Sequence, residues 1–202
     1  MKDNNLTIKP KRRFIYGRKT AHNRIITPNL LQRKFDVAQP NTHWVSDITY
    51  IRTKSGWLYL AVIIDLYSRA VVGWETSNAI NTQLVLQALK SAIIERNPLH
   101  GLILHSDRGV QYANFEFHHT LKKHGIISSM SRQGNCWDNA VAESFFKSLK
   151  NELKIDKKME SLGKTNQSIQ KYIDSFYNTD RLHSSLKYMP PHDFENTLRV
   201  LD

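Results

Sequence analysis

A chain of 202 residues with 40% apolar content is long enough to bury one core, and no apolar run in it approaches the roughly 20 residues that a membrane-spanning helix needs. The single cysteine, Cys136, excludes an internal disulfide and a cysteine-rich zinc centre, so any metal chemistry has to use carboxylates or histidines. The net charge of +11 is concentrated: residues 1–40 hold ten Lys and Arg against two Asp, which leaves only +3 for the other 162 residues. A basic arm ahead of a nearly neutral globule is the pattern of a polyanion binder, with nucleic acid as the leading partner and a merely solvated tail as the alternative. A soluble, cytoplasmic protein is expected.

The arm, residues 1–35, carries Arg12, Arg13, Arg18 and Lys19 as candidate phosphate contacts. Its one helix-like patch, 29–35, is too short for a helix-turn-helix. From Trp44 the texture turns β-rich, with strands expected over 43–52, 57–67 and 70–75. Connections this short force an antiparallel meander. The second strand is apolar at every position from Leu58 to Ile64, so both of its faces should be covered.

A helix follows over 81–96, capped by Asn81, with Val85, Leu89, Ala92 and Ile93 on one stripe. Next come a strand at 102–106, a helix over 114–124 that stops at Gly125, a strand at 126–130 and a loop at 131–137. A further helix starts near Asp138-Asn139 with the stripe Val141, Phe145, Leu149 and Leu153. This order predicts an α/β domain with a mixed sheet over 36–198, made of a core (41–155) and a helical extension (156–198).

Three acids stand out. Asp47 breaks a run of strand-favouring residues, which marks either a functional carboxylate or a charge that guards an edge strand. Asp107 closes the fourth strand ahead of Arg108-Gly109, where ligand sites of open α/β sheets gather, although Asp-Arg-Gly also reads as a plain turn. Glu143, Lys147 and Lys150 follow one another at helical spacing, as a metal ligand with two phosphate contacts or as an ordinary solvated face. Taken together, a strand aspartate, a strand-end aspartate and a helix glutamate can converge at one sheet edge, where they repel one another unless cations lie between them. Mg²⁺ suits such a set, with Mn²⁺ as a substitute, and two ions could clamp an in-line phosphoryl transfer.

The blocks WVSDITYI (44–51), HSDRGVQY (105–112) and GNCWDNAVAESFFKSLKNE (134–152) are similar to those of the DDE transposases of the insertion-sequence-3 group. So are YLAVIIDLYSRAVVGW (59–74) and FYNTDRLHSSLKYMPP (176–191). The resemblance covers residues from about 30 to 195, including the thirty-five residues that separate Asp107 from Glu143. It implies a ribonuclease-H-like fold, a metal-binding triad of Asp47, Asp107 and Glu143, a DNA contact at Lys150, and action as an oligomer on element ends and target DNA at a bacterial nucleoid. Family members also carry an upstream helix-turn-helix region, expected here as a partner or a fused domain. A nuclease of the same fold and a catalytically silent DNA-binding regulator are the rival functions.

Other residues carry paired readings. Asp65 reads better as the opening of a turn than as a fourth ligand. His105 supports the site, contacts DNA or simply packs; Asn135 and Asn139 contact DNA or cap and turn. Cys136 lacks an arranged histidine for thiol catalysis, and His118, His119 and His124 lack zinc spacing.

Overall fold

A computed structural model describes residues 24–134, 136–155 and 160–199. Strands β1 (His43–Thr53), β2 (Gly56–Asp65) and β3 (Val71–Ser77) form the meander, while β4 (Ile103–Ser106) and β5 (Ile127–Met130) lie parallel beyond β1. The sheet order is β3-β2-β1-β4-β5, so it is mixed, with β1 at the change from antiparallel to parallel pairing. Pairing between β1 and β4 covers only His43–Val45, whereas β1 pairs with β2 over its full length. Beyond Val45 one edge of β1 is therefore open among the described strands.

Helices cover both faces of the sheet, as the unbroken apolar run of β2 requires. On one face lie α1 (Thr82–Arg96) and α2 (Phe115–Lys123), whose Leu84, Leu89, Phe117 and Leu121 join Trp44, Ala61 and Ile63 in a common core. Asn81 caps α1 by accepting from the Leu84 amide at 3.0 Å, and Asn114 caps α2 by accepting from Glu116 at 2.8 Å. On the other face α3 (Ala140–Glu152) and α4 (Leu162–Tyr172) pack over Val45, Leu60, Val62 and Ile64. The buried stripe of α3 is Ala142, Phe145, Phe146 and Leu149, wider than the expected one, whose ends Val141 and Leu153 are only partly covered. On α1 the expected Ile93 is likewise partly covered, while Leu84, Leu86 and Ala88 are buried.

Residues 25–33, on the arm's side of the expected boundary, lie against the sheet. The amide of Ile25 donates to Ala113 O, Met130 donates to Pro28 O, and Leu31 is buried in the second core. The patch at 29–35 forms a turn and no helix, because Asn29 Oδ1 takes the Gln32 amide at 2.8 Å and Gln32 and Arg33 adopt φ of 49° and 62°. Arg12, Arg13, Arg18 and Lys19 lie outside the described residues.

The C-terminal extension continues from α4 through a π-helical turn (Ile173–Tyr177) to α5 (Pro191–Arg199). Asn178 holds it to β3, donating to Val71 O and accepting from Val71 N, both at 3.0 Å. Arg96 of α1 donates to both oxygens of the largely buried Glu195 on α5.

Gly73 is required where β3 meets α1, since a Cβ there would lie 2.6 Å from Ala92 Cβ and 2.7 Å from Ala92 N. Gly73→Ala is expected to push α1 off the sheet and to lower unfolding free energy by about 1–3 kcal/mol, the usual range for overpacking. Urea unfolding of the two proteins checks this; equal midpoints would contradict the packing.

Candidate active site

Three elements bring three acids to one open cleft. Asp47 stands on β1 where the strand has just left β4, Asp107 follows the last residue of β4, and Glu143 lies in the first turn of α3. All three line the cleft, together with Asn139, Arg108, Arg132 and Gln133. Burial pushes the Asp47 carboxyl up to about 7; the Ile48 amide, 2.8 Å from Oδ1, opposes this, and the charges of Asp107 and Glu143 add to it. A cation would relieve that repulsion, and an all-oxygen donor set suits a hard ion such as Mg²⁺. The acids share the cleft without forming a closed cage: among the described residues no three His, Cys, Asp or Glu side chains are gathered tightly enough to hold an ion alone. Such an arrangement fits an ion that keeps water and phosphate oxygens in its shell.

The turn after β4 is built for close approach. Gly109 N donates to Asp107 Oδ1 at 2.8 Å, and a Cβ on Gly109 would come within 2.9 Å of that oxygen. The Asp-Arg-Gly turn therefore forms with the Asp107 carboxylate still lining the cleft. Arg108 Nε donates to Ser131 O at 2.8 Å, tying this turn to the end of β5.

Behind the acids runs a buried tie between their three elements. Ser46 Oγ donates to Val62 O at 2.9 Å, which uses its only proton, so Tyr112 Oη, also at 2.9 Å, must donate to Ser46 Oγ. The Ser46 carbonyl accepts from Asn139 Nδ2 at 3.1 Å. Tyr112 belongs to the segment after Asp107, Ser46 precedes Asp47, and Asn139 precedes α3.

A second hub sets the approach to α3. The Asp138 carboxylate is fully buried and accepts from Arg132 N, Nε and Nη2 at 3.0, 3.1 and 2.9 Å, from Arg33 Nε at 2.8 Å and from Asn29 Nδ2 at 3.0 Å. The Arg132 hydrogen bonds above all hold its carboxyl well below the usual carboxylate range.

A model of the integrase core domain matches residues 37–136, and a second model of that description matches residues 124–191. The transposase for insertion sequence element IS904 of Lactococcus lactis subsp. lactis (strain IL1403) is 46% identical over 180 residues, covering 89% of this chain and 70% of its own length. The transposase InsF for insertion sequence IS3A of Escherichia coli (strain K12) is 42% identical over 191 residues, 95% of this chain and 66% of its own length. The chain belongs to the transposases of the insertion-sequence-3 group. Among solved structures, the HTLV-2 integrase catalytic core domain in complex with magnesium (trimeric form) matches with a TM-score of 0.61 at 19% identity, over 78% of this chain and 97% of that one. A chain of the simian T-cell lymphotropic virus intasome matches with a TM-score of 0.67 at 16% identity, over 85% of this chain and 59% of that one. At such identities the likeness concerns the fold, which is the expected ribonuclease-H-like one. Together these make the chain a DDE-type transposase catalytic domain.

Within this transposase the remaining expected residues fall into two groups. Lys147 is exposed and Lys150 half-buried on the same helix as Glu143, with Lys150 Nζ 5.3 Å from the centroid of the Tyr50 ring. His105 and Asn139, by contrast, are buried and have little surface to offer DNA. His105 Nδ1 lies 2.8 Å from Ser129 Oγ, and burial lowers its imidazole to about 4, which keeps it neutral inside the sheet. Asn139 neither caps α3 through its side chain nor reaches out of the cleft wall; it ties α3 to β1. Asp65 is fully buried and accepts from Asn41 N at 2.6 Å, Tyr67 N at 2.8 Å and Trp44 Nε1 at 3.2 Å, so it organises a turn, as the sequence favours. Ser46, Tyr112, Arg132 and Asp138 went unnoticed as site residues. The only signal was that Asp138 and Asn139, both cap formers, stand side by side where one cap suffices.

Tyr112→Phe removes one buried hydrogen bond without changing shape and is expected to cost about 1 kcal/mol of stability. If the tie positions the acids, Asn139→Ala should also raise the Mg²⁺ concentration needed for half-maximal activity while leaving DNA affinity within twofold. An unchanged Mg²⁺ requirement, measured by titration at saturating DNA, would show that the tie serves folding alone.

Proposed function

We propose that this transposase chain cleaves DNA at the ends of its element to expose a 3′ hydroxyl, and joins that hydroxyl to a phosphodiester of target DNA. The observation that carries this reading is the convergence of Asp47, Asp107 and Glu143, from three separate elements, on one cleft. These carboxylates are the proposed metal ligands, and the magnesium in the HTLV-2 core supports the choice of ion. Two bound Mg²⁺ ions, or Mn²⁺ in their place, would supply Lewis-acid stabilisation of the attacking and leaving oxygens. The chain's own part is to hold three negative charges at fixed spacing, to orient the phosphate with Lys147 and Lys150, and to keep neighbouring guanidiniums occupied elsewhere.

The rest of the reading concerns partners. Arg12, Arg13, Arg18 and Lys19 supply contacts to phosphate that carry no sequence information. End recognition comes from a helix-turn-helix region, fused or separate, and the active assembly is a homo-oligomer on DNA. The setting is the cytoplasm of a bacterium, at the nucleoid; among the described residues no helix is long and apolar enough to cross a membrane.

Asp47→Asn, Asp107→Asn and Glu143→Gln should each abolish Mg²⁺-dependent cleavage and joining on matched DNA ends, with double changes adding little, as expected of residues that act as one unit. DNA binding should persist, because less negative charge beside phosphate cannot weaken attraction. Asp65→Asn is the contrast: reduced stability, but measurable activity. Substantial cleavage by purified Asp107→Asn protein in Mg²⁺ would sink the assignment.

Neutralising Arg12, Arg13, Arg18 and Lys19 together should flatten the plot of log affinity against log salt for duplex DNA, by up to about 0.9 per lost phosphate contact. An unchanged slope would remove the arm from the DNA-binding surface.

A further inference from the structure

The β1–β2 hairpin exposes two large rings. Tyr50 is 63% and Trp57 47% exposed, with ring centroids 5.5 Å apart at an interplanar angle of 85°. In the register, Tyr50 stands opposite Tyr59 and Trp57 opposite Arg52, so the two rings meet diagonally across the strands. An edge-to-face pair uses one face of one ring only, which leaves flat aromatic surface for another partner. Lys150, on the helix of Glu143, places its ammonium 5.3 Å from the Tyr50 centroid. Tyr50 lies three residues along β1 from Asp47, an odd spacing that turns its side chain to the other face of the sheet, so the link between the rings and the acid-bearing helix is Lys150.

We propose that Tyr50 and Trp57 form a stacking platform for an unpaired DNA base, with Lys150 holding a phosphate between that base and the acids. The inference rests on the reading that DNA occupies the acid cleft. The occupant follows from the surroundings: Lys147 and Arg52 are also exposed here, so the aromatic surface sits among cations. An apolar protein segment would gain nothing from such a rim, whereas a nucleotide offers a π face and a negative charge side by side. An exposed ring pair that served only the hairpin would not need a lysine from a different element over it. Phosphate also offers an ammonium a full negative charge in place of a ring face, so Lys150 can leave Tyr50 as a base arrives.

The test uses the full chain without Mg²⁺, so that binding is read apart from chemistry. The probes are a single-stranded oligonucleotide carrying one 2-aminopurine at successive positions, and a blunt duplex of the same sequence. Quenching of the 2-aminopurine on binding is expected, together with quenching of tryptophan emission that is lost in Trp57→Leu. Tyr50→Leu and Trp57→Leu keep apolar bulk without a π face and should weaken single-strand binding about 5- to 150-fold, the loss of one stack. Duplex binding should change less than twofold, and Tyr50→Phe should restore the single-strand affinity. Equal single-strand binding by wild type and both Leu variants would overturn the platform, as would an equal loss for single strand and duplex. Thermal unfolding of each variant separates a collapsed hairpin from a lost stack. If the triad variants retained joining while the 2-aminopurine results held, the catalytic reading would fail and the platform would stand.

Discussion

Three carboxylates on three separate elements repel one another, and the whole site depends on a buried line of neutral hydrogen bonds that keeps those elements at fixed spacing. Tyr112 Oη, Ser46 Oγ, the Ser46 carbonyl and Asn139 Nδ2 form that line, one step behind the acids. A charged tie in the same place would carry a desolvation penalty and would also perturb the acids beside it. Neutral groups avoid both. The cost that remains is Asn139 Oδ1, which is buried with no hydrogen-bond partner beside the cleft.

Guanidiniums pose the opposite hazard. Arg108 and Arg132 both line the cleft, and a free arginine there would pair with Asp47 or Asp107 and take the place of a divalent ion. Each is engaged elsewhere: Arg108 Nε on the Ser131 carbonyl, Arg132 on the buried Asp138 through both Nε and Nη2. Asp138 also takes Arg33 and Asn29 from the N-terminal segment. One buried carboxylate therefore restrains cations near the site, fixes the loop before α3 and fastens residues 25–33 to the sheet. The strongly lowered Asp138 carboxyl and the raised Asp47 carboxyl are two sides of this arrangement: Asp138 is surrounded by donors, whereas Asp47 is raised by burial, with the nearby acids adding to it.

How much of this was legible in the sequence follows from the range of the forces involved. The meander, the cap Asn81, the halt at Gly125 and the covered strand β2 all came from local patterns, and local chemistry decides them. Of the acids only Asp47 broke a local rule; Asp107 and Glu143 stood out through their combination with it, and the structure brings all three to one cleft. His105 and Asn139 were left open between contacting DNA and packing or capping, and both are buried, which the sequence could not decide because burial depends on what the rest of the chain brings over them. The segment 29–35 has helical composition, but Leu31 is drawn into the core and Asn29 serves Asp138, across 109 residues of sequence, so tertiary contacts override propensity. Ser46 and Tyr112 carried no signal at all, since their pairing joins residues 66 apart.

Helix α3 brings these strands of argument together, because it is held at both ends by different means. At its start are the neutral Asn139 tie and the Asp138 hub; at its end Glu152 accepts from Tyr172 Oη at 2.7 Å and from Arg181 Nε and Nη2. The C-terminal extension that supplies Tyr172 and Arg181 is itself fastened to β3 by Asn178 and to α1 by Glu195. Glu143, Lys147 and Lys150 stand between the two fixings, so their relative positions are set by the helix and their absolute positions by the sheet and the extension. Charged ties are tolerable at the far end, more than two turns from Glu143, where they do not compete for the cation proposed to lie among the acids. The extension thus acts as a brace for α3, through contacts that leave the cleft open.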